Sequence, residues 1–161
     1  MPQSTTRPDW DETRLAMADA LALRSLCDRD RVGALIVDRS GKVIGEGYNG
    51  PPWGFTHGND RCSVWCQRTV NAHLGGSEGL HAEYWDCPAL HAEANALMMS
   101  DRSLRAGGMI YVTSHICMSC AKLIANSGLR FVVVRSSDQA HRNPGASYRF
   151  LQDCSIDVKV H

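Results

Sequence analysis

The feature that most restricts how this chain can fold is a pair of ligand-rich stretches far apart in sequence, His91-Ala92-Glu93 and Cys117-Met118-Ser119-Cys120. Each opens a helix-like pattern. A CxxC at a helix start places two sulfurs on one turn, where the partial positive charge of the helix end favours thiolate over thiol. One imidazole and two thiolates suit zinc, and three protein ligands leave a fourth position for water whose pKa the metal lowers toward neutrality. A carboxylate two residues beyond the histidine reaches that water without joining the metal, so Glu93 is the candidate catalytic proton carrier. The fold must therefore bring the N-termini of two helices to one point.

Leu80-His81-Ala82-Glu83 repeats the letters of Leu90-His91-Ala92-Glu93. Good helix formers follow Glu93, whereas Glu83 is followed by Tyr84-Trp85-Asp86-Cys87-Pro88, and that proline interrupts a helix. His91 and Glu93 are the pair expected at the site.

The chain has 161 residues, the size of one ordinary domain spanning 1–161, with a Cys/His-rich insert at about 50–90. Seven cysteines and seven histidines in a chain with no secretory start predict a cytoplasmic protein that uses its thiols for metal rather than for disulfides. Cys154, isolated near the C-terminus, reads as a core or subunit-contact residue. No apolar run approaches the roughly 20 residues needed to cross a bilayer. Lys+Arg and Asp+Glu both number 17, so no global basic field exists to hold a nucleic acid.

Apolar spacing predicts a helix over Asp11–Cys27 capped by Asp9, strands at Val32–Val37 and Val43–Tyr48 forming a hairpin, and a helix at Leu90–Ser100. A strand at Met109–Thr113, a helix at Cys117–Ser127 ended by Gly128, a strand at Phe131–Arg135, a helix at Gly145–Asp153 and a strand at Ile156–Val160 follow. The late strands, joined by helical crossovers, should lie parallel in a mixed sheet with helices on both faces. Gly50 to Leu90 shows no sustained period and is too long for an ordinary loop, so something other than a core must order it.

His-x-Glu followed by Cys-x-x-Cys is the signature of zinc nucleobase deaminases. Together with Arg24-Ser25-Leu26-Cys27, Val32-Gly33-Ala34, Gly47-Tyr48-Asn49-Gly50-Pro51-Pro52, His91-Ala92-Glu93-Ala94-Asn95-Ala96-Leu97, Tyr111-Val112-Thr113 and Cys120-Ala121-Lys122-Leu123-Ile124, it makes the chain resemble the deoxycytidylate (dCMP) deaminases from about Leu15 to Val158. The resemblance implies an α/β fold, the cytidine-deaminase-like three-layer α/β/α sandwich around a central mixed five-stranded sheet. It implies zinc on His91, Cys117 and Cys120, and hydrolysis of dCMP to dUMP and ammonia for pyrimidine deoxynucleotide and thymidylate synthesis; the unusual His115-Ile116 opens the further expectation of a 5-substituted dCMP as substrate. It further implies a homohexamer, dCTP and dTTP as effectors with Mg2+ beside the nucleotide, and substrate contacts from Asn49, Ala92 and His115. Arg24, Arg31, Lys122 and Arg142 are candidates for the phosphate by chain position.

The chain departs from the family at His115-Ile116, where Ser-Pro is usual. Ile116 should loosen the first helical turn slightly. His115 either places a bulky donor beside the base or turns aside onto a neighbouring segment. Some family members carry a second, structural zinc that ties the insert to a cysteine at the Cys27 position; here Cys27, His57, Cys62, Cys66, His81 and Cys87 are the candidates, with His73 also in the insert. Buried free thiols and surface imidazoles are the alternative. Trp53, Phe55 and Trp65 stack either on a base or on one another as a small core. The competing functions are a deaminase of another nucleobase, nucleoside or nucleic acid on the same fold, and a non-catalytic zinc or nucleotide-sensing module.

Overall fold

A computed structural model describes residues 7–56, 58–66, 87–136 and 144–161. His57, His73, His81 and Arg142 lie outside the described residues. In chain order the elements are α1 (Trp10–Ala22), β1 (Gly33–Val37), β2 (Val43–Tyr48), α2 (Cys62–Trp65), α3 (Ala92–Met99), α4 (Arg102–Arg105), β3 (Met109–Val112), α5 (Met118–Ala125), β4 (Phe131–Val134), α6 (Gly145–Asp153) and β5 (Asp157–Val160).

The strands form one sheet in the order β2-β1-β3-β4-β5. β1 runs antiparallel to β2 and β3, and β3, β4 and β5 are parallel, as the helical crossovers require. The central strands read as continuous apolar runs because both of their faces are covered. Ala34, Ile36, Ile110, Val112, Val132 and Val134 pack with Ala92 and Ala96 of α3, Cys120, Ala121 and Ile124 of α5, and Leu151 of α6. Leu35, Val37, Tyr111 and Val133 pack with Leu15 and Ala18 of α1. Helices on both sheet faces give the three layers.

Two glycines set how closely the helices approach. A Cβ on Gly47 would stand 2.4 Å from the Ala92 carbonyl oxygen, and one on Gly33 would stand 1.9 Å from that of Ala18. Only a residue without a side chain lets α3 lie on β2 at this separation, which holds the start of α3 against the sheet. Asn95 adds a tie, donating from Nδ2 to the Tyr48 carbonyl at 2.8 Å.

Asp9 caps α1 as expected, accepting from the Glu12 N–H at 2.7 Å. The helix ends at Ala22, however, short of Cys27. Leu21 and Ala22 carbonyls accept from Arg24 and Ser25 in a tightened turn, and the Ser25 hydroxyl accepts from the Cys27 N–H, so the chain turns away before Cys27. α2 and α4 were not expected, since four residues are too few to display a helical period. α5 ends at Ala125 with Asn126 as its C-cap, two residues before the expected Ser127, and a turn leads to Gly128 at φ +95°, a left-handed conformation that glycine adopts at no steric cost.

The ends of the Gly50–Leu90 segment are joined. Gly50 N–H donates to Leu90 O at 3.1 Å and Leu90 N–H to Gly50 O at 2.8 Å. Closing the segment on itself sets His91 beside the end of β2. Asp28 also holds α2, accepting from the Ser63 N–H at 3.0 Å and pairing with Arg61. Among the described residues, no helix is long and apolar enough to cross a membrane. Cys154 is exposed, which rules out its core reading in this fold.

Candidate metal centre and active site

His91 is the N-cap of α3 and Cys117 the N-cap of α5, both in extended backbone, so the two helix starts meet as the spacing of the motifs demanded. Cys117 Sγ accepts from the Cys120 N–H at 3.4 Å, a thiolate doing the work of a capping oxygen. His91 Nδ1 lies 3.5 Å from Cys117 Sγ and 3.3 Å from Cys120 Sγ, and the three donor atoms fall within 4.8 Å of one another. Tetrahedral zinc with bonds of about 2.3 Å to sulfur and about 2.0 Å to nitrogen separates those atoms by roughly 3.5 Å. The donor set fits zinc in type and in spacing.

The electrostatics follow from burial and proximity. The hydrogen bond from the Cys120 sulfhydryl, with help from His91 and against burial, holds the Cys117 thiol down at about 3. Cys120 is pushed up by that same shared hydrogen bond and by burial, so without metal the pair carries one proton. Glu93 is 3% exposed, and burial raises its carboxyl above the ordinary range, with the nearby Cys117 thiolate adding to the rise. A carboxyl raised in this way is a stronger base than a free one, as a proton carrier beside a metal-bound water requires.

Arg29, Asp30, Asn49, Glu93, His115 and Cys117 line a common cavity. Asn49 Oδ1 accepts from the Val32 N–H at 2.8 Å and Nδ2 donates to the Asp30 carbonyl at 2.8 Å, which locks the segment before β1 against the end of β2. The amide keeps one further N–H and one lone pair. Ala92 also lines the cavity and is fully buried. His115 does two things the sequence offered as alternatives: its ring borders the cavity, and its Nδ1 meets the Tyr148 hydroxyl of α6 at 2.9 Å. Ile116 is buried, and its carbonyl accepts from Ser147 Oγ at 2.7 Å.

Of the phosphate candidates, Arg24 stacks over the Tyr48 ring at 5.9 Å, while Arg31 and Lys122 are exposed and do not line the cavity. Arg29 does, and nothing in its local sequence distinguished it from Arg31. Tyr148 was also missed, since its link to His115 spans a chain separation that no local pattern reports.

Cys27, Cys62, Cys66 and Cys87 line the same cavity. Cys66 and Cys87 sulfurs are 3.9 Å apart, and Cys62 Sγ accepts from the Asp28 N–H at 3.0 Å. Burial, and less strongly Cys66 and Cys27, pushes the Cys87 thiol up to about 11. Among the described residues these four do not form a closed ligand group like that at His91. Phe55 and Trp65 meet edge to face with centroids 5.7 Å apart, the mutual packing expected of a small satellite core, while Trp53 is fully exposed.

Residues 8–136 match the family model for the cytidine and deoxycytidylate deaminase zinc-binding region. The chain is 43% identical over 128 residues to the deoxycytidylate deaminase of Mycobacterium phage D29, covering 80% of this chain and 95% of that one. It is 34% identical over 159 residues to the deoxycytidylate deaminase of Saccharomyces cerevisiae, covering 95% of this chain and 45% of the yeast protein. The dCMP deaminase of cyanophage S-TIM5, solved in complex with dCMP and dUMP, superposes with a TM-score of 0.70 and 26% identity over 97% of this chain and 99% of that one. Together with an imidazole and two thiolates converging at two helix starts, these likenesses establish that the chain belongs to the cytidine and deoxycytidylate deaminase zinc-binding family.

Proposed function

We propose that this chain hydrolyses dCMP to dUMP and ammonia, with Glu93 as its catalytic residue and His91, Cys117 and Cys120 as its zinc ligands. The observation that carries the reading is the buried Glu93 carboxyl standing beside the converged imidazole and thiolates in one cavity. Zinc held by His91, Cys117 and Cys120 would supply a water of lowered pKa for addition to C4 of the pyrimidine. Glu93 takes the proton of that water and passes it to N3 as the new C4–O bond forms. It then carries the proton of the new C4 hydroxyl to the exocyclic nitrogen, so that the C4–N bond breaks, the C4 carbonyl forms and ammonia leaves. Burial favours the protonated carboxyl, which makes Glu93 the better base for the first of these proton transfers. Asn49, with its spare N–H and lone pair, contacts the deoxyribose; Ala92 and His115 bound the base, and Arg29, which lines the cavity, is the candidate cation for the phosphate.

The same reading extends to one domain over 1–161 acting in the cytoplasm within pyrimidine deoxynucleotide and thymidylate synthesis. It includes a homohexamer, and dCTP or dTTP with Mg2+ at the Gly47–Gly50 loop. A second, structural zinc draws on Cys27, Cys62, Cys66 and Cys87 together with His57 or His81. The approach of Cys66 to Cys87 and the placement of all four cysteines on one cavity support it.

Ammonia release from dCMP, CMP, deoxycytidine and dAMP by zinc-loaded protein, with and without dCTP plus magnesium, tests the proposal. Turnover confined to the deoxycytidine monophosphate is expected. Silence on all four moves the weight to a polynucleotide substrate or to a non-catalytic role.

A further inference from the structure

His115 borders two cavities at once: the one holding Glu93 and Asn49, and a larger neighbour of about 700 Å3 lined by apolar Ala94, Met118, Leu123 and Ala146. Its ring is not left to rotamer preference. Nδ1 meets the Tyr148 hydroxyl at 2.9 Å. Tyr148 is half-buried, and burial pushes its phenol up to about 12, so the hydroxyl keeps a proton to donate. The same helix grips the next residue, Ser147 Oγ donating to the Ile116 carbonyl at 2.7 Å. α6 thus fastens both His115 and the backbone leading into Cys117.

The chemistry of the ring says which part of the substrate meets this wall. C4, the carbon attacked, has two ring neighbours, N3 and C5. N3 takes its proton from Glu93, so that edge faces the start of α3. C5 lies on the edge turned away from Glu93, toward the remaining walls of the cavity, and His115 is one of them. The sugar and phosphate hang from N1, across the ring from C4 and remote from His115.

Resting on the deaminase reading above, we propose that His115, held by Tyr148, is the specificity-determining wall at the C5 edge of the pyrimidine, and that it confines turnover to cytosine nucleotides without a 5-substituent. Tyr148 is a positioning residue that acts through His115. Ala89, Leu90, His91 and Cys117 line both cavities as well, so a smaller side chain in place of His115 widens the catalytic cavity on one side, where it makes room for a methyl group.

The test compares kcat/KM for dCMP with that for 5-methyl-dCMP in zinc-loaded wild-type protein, His115→Ser and Tyr148→Phe, with metal content measured in each. Wild-type protein is expected to prefer dCMP by at least about tenfold, within the roughly 10–200-fold that one methyl group decides in a packed site. His115→Ser should shrink that preference at least about fivefold, and Tyr148→Phe should move it the same way by less, a ratio that a loss of stability alone would not shift. Equal use of both substrates by wild-type protein overturns the proposal, as does an unchanged preference in His115→Ser. Should the serine variant lose zinc, an unchanged preference in Tyr148→Phe is decisive against it. Failure of wild-type protein on every deoxycytidine nucleotide sinks the deaminase reading itself and the wall with it, whereas dCMP turnover with an unchanged preference sinks only the wall.

Discussion

Cys117 and Cys87 line one cavity, yet the first thiol is held down at about 3 and the second pushed up to about 11. The difference lies in what presents them. Cys117 caps α5, with the Cys120 N–H and sulfhydryl and the His91 ring all directed at its sulfur. Cys87 lies outside any helix or strand, where burial dominates and its neighbours are other thiols. A ligand set carried on two helix starts is therefore brought together by the fold itself, whereas Cys27, Cys62, Cys66 and Cys87 share a cavity without closing into such a group among the described residues.

The largest effect that sharpens this contrast is on catalysis alone. Glu93→Gln is expected to keep zinc and to lose at least about 10²–10⁴-fold in turnover, the range typical of a proton carrier; steady-state ammonia release at the wild-type rate would refute the role. Metal content separates the two thiol groups next. Cys117→Ser should lose the helix-borne zinc and all activity while the protein stays folded. Cys66→Ser should lose only the second equivalent, with destabilisation of about 3 kcal/mol, or roughly 6–12 °C in Tm for a domain of this size. Wild-type protein binding a single equivalent by atomic emission would break the comparison, leaving the insert cysteines as plain buried thiols.

Alkylation of chelated protein reads the thiols directly. At pH 7, well above about 3, Cys117 is thiolate and should react with iodoacetamide first. Cys87, with its value near 11, remains a thiol there and should gain reactivity only as pH rises toward that value. Peptide mapping that finds Cys87 modified first at pH 7 would reverse the assignment. The smallest effect concerns Asp28, whose carboxyl caps α2. Burial works against its ionisation, but the Ser63 and Arg61 hydrogen bonds outweigh it and hold the carboxyl below the ordinary range. A depressed carboxylate stabilises the fold above the unfolded-state value of about 3.9, and that stabilisation disappears as pH falls through the lower folded value. Asp28→Ala should cost about 1 kcal/mol at pH 7, measured by urea denaturation, and leave the His91 site untouched.

His91, Glu93, Cys117 and Cys120 were legible because helix starts, thiolate chemistry and a two-residue offset between ligand and acid are all local facts. The strands were legible for a related reason: runs such as Val132-Val133-Val134 stay apolar at every position only when both faces are covered. Arg29 could not be separated from Arg31, since which of two arginines flanking Asp30 turns into the cavity depends on the path of the chain after α1. The early end of that helix had the same origin, a side-chain hydroxyl at Ser25 competing for the backbone that a longer helix would have used.

By itself, then, the amino-acid order determined the two helix starts, the donors they carry and the acid beside them, because each depends on neighbours within a turn or two. Only the tertiary structure decided that Gly50 closes on Leu90, that Arg29 rather than Arg24 lines the cavity, and that Tyr148 grips His115. Those contacts join residues distant along the chain, and their partners are selected by how α3, α5 and α6 pack on the sheet, which no local pattern encodes.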